Sequence, residues 1–268
     1  IRKDFDRSVL FAKNPDFWFP GCVTLFPSIR RLVPNHYLDL KTGRAVRYWP
    51  QKSIPRLDFA DAVDRVSKLI AGLITGASLR TKLALGLSCG LDSRLLLAAS
   101  RPVASNIRYF TQVTPSMEEN DPEIVIPREL LRRLGLQHKV LSVPSAPPPD
   151  LDASLKRSLM AAKSLKVVNA YSIAEDLLGS ESDTVVVYGN LSEITKRDRF
   201  RYPEVPSQLI SGAFLTECFR MTGSRIAHRE LSTWLEEVRP LTELDVNILD
   251  LTHWEHRVGS WAAMTFSI

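Results

Sequence analysis

The sequence has few cysteines, no long hydrophobic run and no signal segment. Its 268 residues contain three cysteines, which are odd in number, far apart and in no metal-binding spacing: Cys22, Cys89 and Cys218. This usage argues against a disulfide framework and predicts free thiols in a reducing, cytoplasmic compartment. No apolar run approaches the roughly 20 residues of a membrane-spanning helix, and no charged-then-apolar segment opens the chain. We therefore expect no membrane partner.

The sequence also lacks a large block of charge of one sign. Its formal net charge is +5, with a pI near 9.2. The basic residues cluster only at Lys196, Arg197, Arg199 and Arg201, a pattern typical of a solvated loop or of an anion site within a cleft. We therefore predict no nucleic-acid partner. The composition, 44% apolar and 24% charged, is ordinary for a globular protein.

The first 56 residues differ from the rest because they are rich in proline. Six prolines among short β-type runs exclude long helices in this part of the chain. We predict short strands joined by turns, with a hairpin-like reversal at Thr42–Gly43. This β piece is too small to fold alone. Because the first residue is Ile1 rather than methionine, we expect the sequence to begin inside a longer polypeptide.

From Leu57 onward, helical and extended patterns alternate. A helix is predicted from Asp58 to Gly76, because apolar residues recur there at three- and four-residue steps. These residues are Phe59, Val63, Val66, Ile70 and Leu73. Strands are predicted at 82–87, 107–113, 138–143 and 183–188, and helices at 92–99, 123–134 (closed by Gly135) and 151–178. This alternation predicts an α/β fold with a parallel Rossmann-like sheet. Helical spacings over 206–266, broken near Gly223 and Pro240, predict a C-terminal helical lobe.

The loop after the first predicted core strand is the strongest candidate for chemistry. In the stretch LALGLSCGLDSRLLLAAS, residues 83–100, an apolar run leads into small and polar residues and then into a helix. In parallel sheets, ligands bind beyond the carboxyl ends of strands. Gly90, with the hydroxyls of Ser88 and Ser93, suits an oxyanion at the helix N-terminus, while Asp92 suits Mg²⁺. This combination predicts a nucleotide site.

Two other interpretations of the same loop remain open at this stage. The letters Gly86-Leu87-Ser88-Cys89-Gly90 satisfy the G-x-S-x-G nucleophile elbow, in which Ser88 would be the nucleophile of a serine hydrolase. No glycine-rich oxyanion loop stands upstream, however, and a motif with three fixed positions matches easily by chance. The loop is also consistent with a tight strand-to-helix turn that has no chemical role.

The letters SCGLDS resemble the SGGLDS pyrophosphate loop (PP-loop) of the asparagine synthetase family, which belongs to the N-type ATP pyrophosphatases. Upstream, PSIRRLVPNHYLDLKTGRAVRYW resembles the end of that family's glutaminase domain and its linker. Downstream, RYFTQVTPSMEENDPEIVIPRELLRRLGLQHKVL resembles its second strand and helix, and YGNLSE stands where the family carries SGEGSD. The similarity covers most of residues 22–200 in the correct order.

The resemblance implies an adenine nucleotide alpha hydrolase-like fold that binds ATP and Mg²⁺. In this family the residues of the loop hold the ATP phosphates, and the matching residues in this sequence are Ser88, Gly90, Asp92 and Ser93. Asp92 and Glu193 match the catalytic, magnesium-binding carboxylates, and the adenosine contacts fall at Gly86, Gln112, Tyr188 and Gly189. Residues 1–52 would be the remnant of an Ntn-type glutaminase domain with its linker, and residues 53–268 a synthetase domain truncated at its C-terminus.

The reaction implied by the resemblance is amide formation through adenylation. A carboxylate of a small molecule or peptide attacks the α-phosphorus of ATP, giving an acyl-adenylate and pyrophosphate, and an amine or ammonia then forms the amide. Self-association as a homodimer is a further expectation. The glutaminase nucleophile of these amidotransferases is an N-terminal cysteine, so glutamine hydrolysis is not assigned to a chain that begins with Ile1.

The sequence departs from the family pattern at several positions. Cys89 replaces the first loop glycine, and we expect the phosphate cradle to survive if this residue keeps a negative φ. Asn190 and Ile194 replace two residues of the second motif. The family's late lysine has no counterpart after Lys196, so we expect either a continuation beyond Ile268 or an arginine in its place. These departures favour the alternative of a catalytically impaired nucleotide-binding pseudoenzyme or regulatory module.

The sequence HWEH near the C-terminus also has two interpretations. His253 and His256 could pair on a metal, but no third ligand stands at a telling spacing, so a polar helix face is the prediction. Trp254 and Trp261 are seven residues apart and predict a helix packed into a core.

Overall fold

The computed structural model describes residues 19–146, 148–149, 153, 169, 171–178, 183–189, 205–260 and 262. These residues fall into two compact units. One contains residues 57–189 and carries the candidate site, and the other contains residues 19–56 together with 205–260. The expected division by origin, 1–52 and 53–268, stays a prediction. Within the described ranges, no helix is long and apolar enough to cross a membrane.

The unit of residues 57–189 is built on a parallel sheet of four described strands. They are β3 (Lys82–Gly86), β4 (Ile107–Val113), β5 (His138–Ser142) and β6 (Thr184–Val187), arranged in the order β5-β4-β3-β6. Every pairing between neighbours is parallel. The predicted α/β class with a parallel Rossmann-like sheet is therefore confirmed, and the predicted strand limits agree to within a residue at each end.

Three helices of this unit follow the predicted order. They are α1 (Phe59–Ser78), α2 (Leu91–Ala99) and α3 (Pro122–Arg133). The side chain of Asp58 accepts a hydrogen bond from the Asp61 amide at 2.8 Å, which confirms the predicted start of α1. The predicted stop at Gly76 is wrong, because the helix continues through this glycine to Ser78. Gly135 follows α3 with φ +67°, as expected for a helix-terminating glycine.

Apolar side chains cover both faces of the sheet. One face packs against the three helices through Leu83, Leu85, Ile107, Tyr109, Ile74, Leu97 and Leu131. The opposite face packs against a described helical segment through Ala84, Phe110, Leu141, Ile173 and Leu177. This two-sided burial explains why β3 reads as a continuous apolar run rather than an alternating one.

The other unit combines an N-terminal hairpin with C-terminal helices. Strands β1 (His36–Asp39) and β2 (Arg44–Arg47) pair antiparallel around Gly43, whose φ is +66°, so the predicted reversal is confirmed. The helices are α4 (Gly212–Cys218), α5 (Arg225–Val238) and α6 (Ile248–Thr252), and the last continues as a π-helical turn over His253–Val258. The breaks predicted near Gly223 and Pro240 are both present.

The HWEH segment is buried, so the prediction of a polar helix face is wrong. Glu255 is fully buried and accepts hydrogen bonds from Asn35 Nδ2 at 2.8 Å, from Trp234 Nε1 at 2.8 Å and from both terminal nitrogens of Arg47. His256 is also fully buried, and its Nδ1 accepts from the Gly21 amide. Among the described residues, no group of three His, Cys, Asp or Glu side chains is arranged to hold a metal.

Candidate functional site

The site lies where the strand order of the sheet reverses. From β3 the chain proceeds outward to β4 and then β5, and it returns to the other side of β3 with β6. The loops that follow β3 and β6 therefore diverge at their carboxyl ends. In open α/β sheets this topological switch point is where ligands bind. Both sequence motifs singled out above, at 88–93 and at 188–189, stand at this point.

The loop from Ser88 to Ser93 is organised by its own two hydroxyl groups. Ser93 is buried, and its Oγ accepts a hydrogen bond from the Ser88 amide at 3.1 Å. The two hydroxyl oxygens are 3.0 Å apart, and Ser88 Oγ accepts from the Gly90 amide at 3.1 Å. Gly90 is the N-cap of α2 but offers no side-chain cap. The N-terminal end of α2 thus faces the loop without an acidic side chain from its own cap residue.

Glycines allow β6 and α2 to approach each other closely. A Cβ on Gly189 would lie 2.7 Å from the carbonyl carbon of Asp92 and 2.7 Å from the Ser93 amide nitrogen. The backbone after β6 therefore contacts the first turn of α2. Gly86, at the end of β3, has the same role toward Tyr188, because its Cβ would lie 2.8 Å from Cε1 of that ring. A larger residue at either position would separate the elements that form the site.

Tyr188 and Gln112 connect the ends of β6 and β4. The Tyr188 ring packs edge-on against Phe110, with 6.1 Å between ring centroids. Burial of the phenol raises the pKa of Tyr188 to about 12, so the hydroxyl stays protonated and donates to Gln112 Oε1 at 3.4 Å. Gln112 Nε2 in turn donates to Asn169 O and to Ser172 Oγ, both at 2.8 Å.

The structure brings the predicted site residues together, with one exception that it does not describe. Gly86, Ser88, Gly90, Asp92, Ser93, Gln112, Tyr188 and Gly189 all belong to three adjacent strand ends and the start of α2. Glu193 lies outside the described residues, as do Asn190, Ile194 and the basic cluster from Lys196 to Arg201. The assignment of a second magnesium ligand therefore stays a prediction.

Cys89 keeps the backbone conformation that a phosphate cradle needs. Positive φ values at non-glycine residues occur, within the described ranges, at Asn35, Arg220 and Asp245, so Cys89 is not in the left-handed region. The expected condition for an intact loop is therefore met. Its thiol donates to Glu123 Oε1 at 3.0 Å, and this hydrogen bond is the main reason why the pKa of Cys89 is raised. A raised pKa disfavours a reactive thiolate at this position.

Glu123 is a site residue that the sequence analysis did not identify. It lies in the first turn of α3, and its carboxylate accepts from the Cys89 amide at 2.9 Å as well as from the thiol. Its own amide is fixed by Asp121 Oδ1 at 2.8 Å. The sequence offered one signal for this residue, which is an acidic side chain in the first turn of a predicted helix.

The geometry does not support the nucleophile elbow. Ser88 Oγ is engaged with Ser93 Oγ and the Gly90 amide, and no histidine of the described part of the chain lies within hydrogen-bond distance of it. His138, on β5, instead places Nε2 at 2.8 Å from Thr111 Oγ1. A serine nucleophile needs an adjacent general base, which the described residues do not supply.

The residues present fit a magnesium–phosphate group. The Cys89 amide already binds a carboxylate oxyanion, which shows that the loop presents donors suited to negatively charged oxygen. Mg²⁺ is usually held by one or two carboxylates plus phosphate oxygens, so it does not need a cluster of three protein ligands. Asp92, in the first turn of α2, would provide one such carboxylate.

A large cavity lies in the other unit, among the described residues. It has a volume of about 1020 Å³ and is lined by aromatic and polar side chains that include Tyr48, Trp49, Trp254, Arg56 and Asp245. Arg56 and Asp245 form an exposed ion pair there. We assign the site to the loop at the switch point because backbone donors and glycine-mediated close approaches converge there, whereas the cavity is defined by volume alone.

No protein-family model matches the chain, and no curated protein sequence matches it. Among solved structures, the chain is similar to glutamine-dependent NAD+ synthetase from Acinetobacter baumannii in complex with ADP, with 19% identity and a TM-score of 0.35. That match covers 60% of this chain and 31% of the other. It is also similar to NH3-dependent NAD synthetase from Campylobacter jejuni in complex with nitrate, with 13% identity and a TM-score of 0.34 over 79% of this chain and 95% of that chain. Similarity at this level supports no functional conclusion.

Proposed function

We propose that this chain is the ATP-binding synthetase part of an ATP-dependent amide-forming ligase of the asparagine synthetase type. One observation carries the proposal. A loop of small and hydroxyl residues joins β3 to α2 at the switch point of a parallel sheet, and Gly189 brings the end of β6 against that helix start. The sequence of this loop, SCGLDS, is the part of the chain that most resembles the family.

The predicted residues within the described part of the chain have positions that support the roles proposed for them. Backbone amides and hydroxyls between Ser88 and Ser93 would bind the phosphates, and Asp92 would hold Mg²⁺ together with phosphate oxygens. Glu193 would supply the second carboxylate by resemblance. The adenosine would lie along the strand ends, which are lined by Gly86, Gln112, Tyr188 and Gly189.

The proposed reaction has two steps. A carboxylate oxygen of the substrate attacks the α-phosphorus, and the bond to the bridging oxygen of the β-phosphate breaks, so pyrophosphate leaves. An amine or ammonia then attacks the acyl carbon, AMP leaves, and the amine loses a proton to give the amide. Mg²⁺, when bound, would neutralise the charge that develops on the departing pyrophosphate. The loop donors are fixed before the reaction, which is the arrangement that stabilises developing charge most effectively.

A nucleotide-binding module without catalysis is the second candidate. It is favoured by Asn190, which departs from the second family motif, and by Glu123, which accepts a hydrogen bond from a loop amide. Such a module would bind Mg–ATP without exchanging pyrophosphate. The carboxylate, the amine donor and the homodimer stay predictions.

Isotope exchange separates these candidates. The intact protein is incubated with Mg–ATP, labelled pyrophosphate and L-aspartate or a panel of other amino-acid carboxylates, and label entering ATP is measured. We expect carboxylate-dependent exchange that falls at least about 100-fold in Asp92→Asn, because this change removes a charge that acts on the transition state. Asp64→Asn, an exposed position on α1, should leave exchange unchanged. Nucleotide binding without exchange would favour the module, and absence of Mg–ATP binding would refute both.

A further inference from the structure

The two hydrogen bonds from Cys89 to Glu123, named here the latch, place a negative charge on the phosphate loop. The Glu123 carboxylate accepts from the Cys89 amide at 2.9 Å with one oxygen and from the Cys89 thiol at 3.0 Å with the other. Backbone amides at this point in an α/β sheet are the donors that bind phosphate oxygens. The latch therefore occupies a donor that an oxyanion ligand would use.

Glu123 forms no ion pair with a basic side chain in the described part of the chain. The Cys89 amide and thiol supply its side-chain hydrogen bonds. The nearby guanidinium of Arg94 points its Nε to Gly90 O at 3.3 Å instead. A phosphate that approached the Cys89 amide would meet the negative charge of the Glu123 carboxylate, and repulsion between the two anions disfavours their sharing one N–H donor.

Cys89 makes the latch bidentate. A glycine at this position would offer only its amide, whereas cysteine adds a second donor that matches the other carboxylate oxygen. Both residues are partly exposed, so the Glu123 side chain can turn toward solvent when the contact breaks. The cysteine that stands in place of the loop glycine therefore has a physical role, which is to hold the second oxygen of Glu123.

We propose that Glu123 is an internal competitor of the nucleotide phosphates, held on the loop by Cys89, and that nucleotide binding requires its release. This inference rests on the proposed function, because the competing ligand is Mg–ATP. Glu123 acts through occupancy of the loop, and no part in the chemical step is assigned to it. Removing its charge tightens nucleotide binding.

Calorimetric titration of the intact protein with Mg–ATP tests the proposal. Glu123→Gln keeps the size of the side chain but removes its charge and one acceptor, and it should bind Mg–ATP about tenfold more tightly than the unmodified protein. Glu129→Gln removes a charge from the same helix at an exposed position paired with Arg132 and Arg133, and its affinity should stay within about twofold. Binding by the unmodified protein with no gain in Glu123→Gln overturns the latch. Binding by neither protein overturns the proposed function and the latch together.

Two further variants test the role of the thiol. Cys89→Ala removes one of the two donors and should tighten binding about threefold, and this change keeps the test informative if Glu123→Gln does not fold. The double variant should bind no more tightly than Glu123→Gln alone, because both changes break one contact. Fully additive gains would overturn the proposal.

Alkylation gives a readout that does not depend on nucleotide. With Cys22 and Cys218 replaced by serine, iodoacetamide at about pH 8 should modify Cys89 several-fold faster in Glu123→Gln, since the hydrogen bond that raises the thiol pKa is lost. The charges of Arg94 and Asp121, which also act on this thiol, are the same in both proteins. An unchanged rate would mean that the carboxylate does not hold the thiol, and it would overturn the latch.

Discussion

Replacing Glu255 by glutamine should lower the free energy of unfolding of its unit by about 3 to 5 kcal/mol. The carboxylate is fully buried and satisfies Arg47, Asn35 Nδ2 and Trp234 Nε1 at once. Glutamine has nearly the same volume but directs an NH₂ group at donors on one side. Each oxygen of the carboxylate accepts from two donors, so an NH₂ group at either position leaves two donors without their acceptor. Arg47, whose side chain is 13% exposed, loses its buried counter-ion and keeps only Glu237, whose Oε1 lies 3.6 Å from its Nε. Lost hydrogen bonds to a charged group, at about 1.5 to 3 kcal/mol each, give the same range.

Urea unfolding followed by far-ultraviolet circular dichroism and tryptophan fluorescence would measure this loss. The midpoint should fall while the denaturant slope stays constant, which indicates a change in stability rather than in compactness. Asp245→Asn is the matched control, because its partner Arg56 is exposed and asparagine tolerates the left-handed φ of +62° found there. We expect the control to unfold at nearly the same urea midpoint as the unmodified protein. A loss below about 1 kcal/mol in Glu255→Gln would refute the reasoning.

Two further predictions follow from single residues. Gly189→Ala should weaken Mg–ATP binding at least about tenfold and lower the free energy of unfolding by about 1 to 3 kcal/mol, because its Cβ would overlap the backbone of Asp92. In the control Gly72→Ala on α1, the added Cβ meets nothing within 4 Å, so this change should be neutral or stabilising. Equal effects of the two changes in calorimetry and urea unfolding would contradict the contact of Gly189 with Asp92. Burial lowers the pKa of His256 to about 3, while the unfolded imidazole titrates near 6.5. Between these values the unfolded state binds more protons, so the free energy of unfolding should fall by up to about 1.4 kcal/mol per pH unit as the pH drops from about 6.5 toward 3. His256→Gln should flatten this profile, and an unchanged profile in that variant would show that another group causes the loss.

Local patterns were sufficient to predict most elements of the fold but not their partners. The strand at 107–113 was predicted with its observed limits because its apolar residues and flanking turns are contiguous. The burial of HWEH was missed because polar letters suggest solvent, and its partners are remote: Arg47 lies 208 positions from Glu255. The helical period of α1 was recognised, yet Phe59 and Leu73 are 85% and 72% exposed, since the period does not show which face is covered.

The candidate site was predictable to the extent that its chemistry is contiguous in sequence. The loop from Ser88 to Ser93 carries its own hydroxyls and helix start, so its role could be inferred from a few letters. The close approach of Gly189 required the strand order, which depends on pairing between distant segments. The contact of Glu123 with Cys89 spans 34 positions and leaves no periodic trace in the sequence.

The position of β6 also sets the order in which the site can assemble. Lys82 pairs with Thr184, so the two strands that flank the candidate loop meet only after the chain has been extended from Lys82 to Thr184. Pairing across such a separation is slow, because loop-closure entropy is lost before any contact is gained. A nascent chain that ends before Thr184 contains the loop and the start of α2, but it lacks Gly189, whose backbone packs against the first turn of α2. The site that we propose for the nucleotide should therefore be completed late in folding, after the β3–β4–β5 half of the sheet has formed.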